Sequence, residues 1–84
     1  MGSLSVLPNV GKVLEQNLNE IGIHTLEQLV ETGSKEAFLR IRREVDTGAC
    51  LHMLYGIQGA VEHVKYTQLS EETKKELKDF YNSL

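Results

Sequence analysis

Eighty-four residues are enough for one small hydrophobic core and too few for two, because a chain of this length buries only about 60–65% of the surface it exposes when unfolded. Nine Lys plus Arg against twelve Asp plus Glu give a formal net charge of −3, which excludes a broad positive field and makes any phosphate contact a local one. A composition 40% hydrophobic and 25% charged excludes wholesale disorder, and no apolar run approaches the ~20 residues of a membrane span.

Residues 1–6 read as a flexible start and residues 7–84 as one helical domain. The start lacks the basic and apolar regions of a secretory signal, and the lone Cys50 has no partner for an internal disulfide, so the expected location is cytoplasmic. Val10, Leu14, Leu18 and Ile21 recur at helical spacing and predict a first amphipathic helix. Gly22 stands where a left-handed C-terminal cap belongs. Thr25 is an N-cap with Gln28 three residues on, predicting a second helix to about Thr32. Ser34 is the expected cap of a third helix, which turns Ala37, Phe38, Ile41 and Val45 inward and Arg40 and Arg43 outward. The Asp46-Thr47-Gly48 turn closes it.

A fourth, most apolar helix is predicted from Ala49 to about Val64, with Cys50, Leu54, Ile57, Val61 and Val64 on one stripe, and it reads as the centre of the core. Gly56 and Gly59 weaken a helix, so the small-residue surface they form with Ala60 predicts that another helix packs closely there. Ser70 caps a fifth helix whose first turn carries Glu71 and Glu72 and whose Leu69, Leu77, Phe80 and Tyr81 face the rest. No period-two strand pattern occurs. The expected fold class is all-α, a compact bundle of about five short helices.

Few residues invite chemistry. His52 and His63, eleven apart on one helix, lie about 16 Å apart along its axis, too far to share a metal. Cys50 and His52, two apart, point in different directions around that helix. No phosphate-loop or dinucleotide-binding pattern is present. No catalytic residue, metal site or cofactor is therefore expected. Lys35, Arg40, Arg42 and Arg43, and again Lys74, Lys75 and Lys78, form basic clusters, most simply solvated faces with charge partners such as Glu36 to Arg40 and Glu71 to Lys75.

What remains is the opening turn. Pro8-Asn9-Val10-Gly11 leads into a helix whose first N–H groups lack partners, glycine allows a phosphate close to the backbone, and Lys12 adds a positive charge. The same residues also serve the fold alone, with Pro8 fixing the approach and Asn9 capping.

Residues 7–29, "LPNVGKVLEQNLNEIGIHTLEQL", resemble the helix-hairpin-helix motif, through Leu7-Pro8, Val10-Gly11, Leu18, Gly22-Ile23, Thr25 and Leu29. That motif contacts DNA phosphates through main-chain amides without reading sequence. Asn9 stands where the motif usually has a first glycine, and Val13 where a lysine is common. Over a longer span, from Leu7 to about Phe80, the chain resembles the C-terminal domain of the TfoX/Sxy family of DNA-transformation (competence) regulators, through that stretch together with "EAFLRIR", "CLHMLYGIQGAVEH" and "LSEETKKELKDF". Asn9 fits this family's pattern.

The resemblance implies a helix-hairpin-helix, SAM-like architecture and a link to competence regulation. It supplies no catalytic residue. The expected function is a non-enzymatic regulatory module that binds a protein partner or, weakly and without sequence specificity, DNA; the alternatives are an oligomerisation domain or a small enzyme. A DNA phosphate would meet Asn9, Val10, Gly11 and Lys12, with Lys35, Arg40 and Arg43 in support. No membrane contact is expected, and the chain is expected to be a monomer or weak homodimer.

Overall fold

In a computed structural model, which describes residues 4–84, the local signals read from the sequence place the helices. They are α1 (Lys12–Glu20), α2 (Leu26–Thr32), α3 (Ser34–Glu44), α4 (Leu51–Glu62) and α5 (Glu71–Asn82), with 3-10 turns at Leu4–Val6 and Tyr66–Gln68. The described residues contain no strand, as the absence of period-two patterning predicts.

Helix starts follow side-chain chemistry. Thr25 Oγ1 accepts from the Gln28 N–H at 3.1 Å, and Ser70 Oγ accepts from the Thr73 N–H at 3.0 Å, each satisfying a first-turn amide. Gln28 Oε1 reaches back to the N–H of His24 at 2.7 Å, one residue earlier than a capping box requires. Ser34 is not a cap. Gly33, at φ 85° and ψ 153°, ends α2 and starts α3, while the Ser34 hydroxyl donates to Gln58 Oε1 on α4 at 2.5 Å. A backbone angle open to glycine alone permits two helices to meet without a longer linker.

Helix ends follow backbone geometry. Gly22, at φ 89°, donates to the Asn19 carbonyl and Ile23 to that of Leu18, at 3.0 and 2.9 Å, a Schellman closure that buries Ile23 against Leu18. At the end of α4 the same closure is built on His63 at φ 61° and ψ 36°. His63 donates to Ala60 and Val64 to Gly59. Because a left-handed residue with a Cβ is strained, His63→Gly is expected to raise stability by about 0.5–1 kcal/mol, read as a higher urea midpoint at unchanged slope.

The core is centred on α4, which packs against α2, α3, α5 and the Tyr66–Gln68 turn. Leu18, Leu29, Phe38, Ile41, Leu54 and Ile57 are fully buried. α5 is tied to α3 by Tyr81 against Phe38, with ring centroids 5.9 Å apart, by Arg42 over Tyr81 and by Lys35 over Phe80. Leu4 is 1% exposed and its carbonyl accepts from Leu7, so the packed domain begins ahead of the boundary expected at Leu7. Of the expected loose start, residues 1–3 lie outside the described residues.

Candidate functional site

The turn before α1 is where sequence reading and structure meet most informatively. Asn9 adopts φ 69°, a left-handed backbone that asparagine tolerates better than most side chains. Its carboxamide is directed into the fold. Nδ2 donates to the Val64 carbonyl at 2.9 Å and to the Gly56 carbonyl at 3.4 Å, and Oδ1 accepts from the Tyr66 N–H at 3.0 Å. Two carbonyls on one side and an N–H on the other fix which way the amide points.

This clasp accounts for the small residues of α4. A side chain on Gly59 would overlap Asn9 Nδ2 and come within 2.7 Å of the Val64 carbonyl oxygen, and a Cβ on Gly56 would lie 3.5 Å from that of Asn9. The helix expected against this surface is thus replaced by the Asn9 turn on one side and the Val64–Tyr66 segment on the other. The His63 closure folds that segment back over Gly59.

The residues expected to contact phosphate are distributed as follows. The Asn9 side chain is spent on the clasp, and Val10 is buried at 6% exposure. Gly11 and Lys12 are exposed. Gly11 takes φ −91° and ψ −173° as the N-cap of α1, with no side-chain cap, and a Cβ there would meet open space. The first amides of α1 have no acceptor among the described residues. Lys12 enters no ion pair among those residues. Lys35 reaches Glu76 of α5 at 3.6 Å, Arg40 holds Glu36 at 2.9 Å, and Arg43 holds Glu44 at 3.1 Å. The three supporting cations are thus directed to neighbouring carboxylates, worth little in stability at such exposure.

Around the clasp the surface is apolar. Val6 is 77% exposed, Val13 71% and Tyr66 41%. Two open grooves of about 550 and 310 Å³ flank the ridge made by Asn9 and Tyr66, the first lined by Val6 and Pro8, the second by Val13 and Met53. His52 stands edge-on to Tyr66 with centroids 6.1 Å apart. Contiguous exposed apolar surface on a small domain is a mark of interaction sites. The sequence reading missed this face because Val6 and Tyr66 lie outside every helix it predicted.

No group of three His, Cys, Asp or Glu side chains that could hold a metal occurs among the described residues. Cys50, expected on the core stripe, is exposed, because α4 starts at Leu51, two residues later than expected, and leaves it as the N-cap. Glu71 pairs with Lys74 at 3.1 Å, and Lys75 pairs instead with Asp79. No helix of the described residues is long and apolar enough to cross a membrane.

The fold and turn define a small all-α domain in which Asn9 binds the turn before the first helix to the fourth helix and the segment that follows it. The chain belongs to the TfoX C-terminal domain family, whose model matches residues 1–81. It is similar to an uncharacterised protein from Listeria monocytogenes in a triclinic crystal form, at 49% identity and a TM-score of 0.94, covering 98% of this chain and 92% of that one. A protein of unknown function from the same organism, in a tetragonal form, matches at 49% identity and a TM-score of 0.92, covering 96% and 98%. No curated protein matches.

Proposed function

We propose that the domain is a non-enzymatic regulatory module that works by docking a protein on the apolar face around the Asn9 clasp. Family membership supports a regulatory role, and the observation that carries the docking reading is the use of Asn9. Its side chain is satisfied internally, and the side chains left exposed around the turn include the apolar Val6, Val13 and Tyr66. A photo-reactive residue at Val13 in the full-length protein in its own cells is expected to give a discrete protein adduct, and one at Val30 of α2, also exposed but away from this face, to give none. Equal adducts at the two sites, or none at Val13, would remove the docking face.

A second reading, weak and sequence-independent contact with DNA phosphate, draws support from the first amides of α1, which have no acceptor among the described residues, beside Lys12, which has no ion pair among them. Few contacts predict a shallow salt slope, about −0.9 per neutralised phosphate. Gly11→Glu fits the observed backbone and open space, so it keeps the fold while placing a carboxylate at those amides. Under this reading it abolishes DNA binding, and retained affinity excludes the turn as the site.

A further inference from the structure

We infer that the two grooves beside the Asn9–Tyr66 ridge take an acidic, amphipathic peptide segment of a partner protein; this rests on the docking reading above and names the chemistry of what docks. The argument is one of charge complementarity. Acidic residues outnumber basic ones in the chain, twelve to nine, yet no carboxylate lines either groove, while Lys65 does. Lys12 precedes Val13 in the first turn of α1.

Neighbouring carboxylates in the chain are engaged elsewhere. Glu15 Oε2 accepts from the Ser5 N–H at 3.2 Å, and Glu62 Oε2 from Gln58 Nε2 at 2.6 Å. Lys35, Arg40, Arg43, Lys74 and Lys75 each pair with a carboxylate; of the four cations that do not among the described residues, Arg42 lies over the Tyr81 ring, Lys78 is on α5, and Lys12 and Lys65 stand at this face. The face thus combines exposed apolar anchors, Val6, Val13 and Tyr66, with Lys12 and Lys65 at its rim, neither in a direct ion pair among the described residues. A helix with leucines on one side and glutamates on the other matches both features, the leucines filling the grooves and the glutamates meeting the lysines.

The test uses the ¹⁵N-labelled domain and three probes: a helical peptide of about sixteen residues with leucine at three- and four-residue spacing and glutamate between, long enough to hold a helix; the same peptide with lysine for glutamate; and a short DNA duplex. The glutamate peptide is expected to shift the amides of Val13, Met53 and Tyr66. The exposed double variant Lys12→Glu, Lys65→Glu is expected to weaken it about tenfold and to favour the lysine peptide, with α3 and α5 signals unchanged to show an intact fold.

A wild-type preference for the lysine peptide, or an equal response to both, overturns the acidic partner and leaves the docking face standing. Silence with both peptides, shifts on this face with DNA alone, or concentration-dependent self-association that covers it also overturns the inference. The Val13 cross-link separately decides the docking reading beneath it.

Discussion

Replacing Asn9 by alanine is expected to destabilise the domain by about 2–3 kcal/mol and to lower its melting temperature by about 10–20 °C, a large effect for a chain this small. The substitution removes the hydrogen bonds to Gly56, Val64 and Tyr66, each worth about 1 kcal/mol net, and takes the Asn9 partner from the partly buried Val64 carbonyl. It also puts a Cβ without a compensating amide at φ 69°, where alanine is strained. Asn9→Gly separates the two terms, since glycine accepts the backbone angle and still lacks the amide; it is expected to recover about 1 kcal/mol. Asn9→Asp is expected to be at least as damaging as alanine, because a carboxylate cannot donate and would face the Gly56 and Val64 carbonyls. Thermal unfolding of the three variants orders them. Indifference to all three would mean that the turn is held by Val10 and Leu7 burial alone.

Gly59→Ala is the second large effect. In a solvent-facing helix interior the change would stabilise by about 1 kcal/mol. Here the added methyl meets Asn9 Nδ2, the Val64 carbonyl at 2.7 Å and the Tyr66 nitrogen at 3.3 Å. Two of these are backbone atoms in a segment held by the His63 closure, so they cannot swing aside as the end of a flexible side chain would. The expected outcome is a net loss of about 2–4 kcal/mol in urea unfolding. Gly56→Ala is the matched control, three residues earlier on the same helix. Its nearest neighbour is the Asn9 Cβ at 3.5 Å, an ordinary contact, so the helix-propensity gain of up to about 1 kcal/mol survives. In the double variant Asn9→Gly, Gly59→Ala, the Asn9 contact is gone while the Val64 clash persists. Partial rescue, a coupling of about 0.5–3 kcal/mol, is therefore expected.

Much of the helical layout was legible because its signals are local. Thr25 and Ser70 announce helix starts through hydroxyls that reach amides three residues away, and Gly22 announces an end through a left-handed backbone. The apolar period of α4 correctly marked Leu54 and Ile57 as core. Ser34 misled because an acceptable cap residue found a better partner in Gln58, 24 residues away. Gly33 beside it already allowed the helix to begin.

The candidate site was half legible for the same reason. The small surface of Gly56 and Gly59 was recognised as a close-packing face, and Asn9 was singled out, but the contacts joining them span 47 to 57 residues. Nothing in one sequence pairs an asparagine in a turn with a glycine on a distant helix. Asn9 therefore read as a free phosphate ligand or a helix cap, whereas its structural partners are the α4 surface and the segment that follows it. The basic residues of α3 showed the converse. Glu36 to Arg40 was predictable from four-residue spacing, while the reach of Lys35 to Glu76 required the α3–α5 packing.

An apolar docking face built on an internally bound Asn9 differs from a phosphate-gripping hairpin in one directly observable way. Titrating the labelled domain with a short DNA duplex, at low and then moderate salt, follows the backbone amides of Gly11 and Lys12 together with the side-chain amide of Asn9. The account predicts that the Asn9 carboxamide signals stay fixed and slow to exchange throughout, and that Gly11 and Lys12 show no salt-sensitive shift. Salt-sensitive shifts concentrated at Gly11 and Lys12, accompanied by movement of the Asn9 carboxamide, would contradict it and return the turn to DNA.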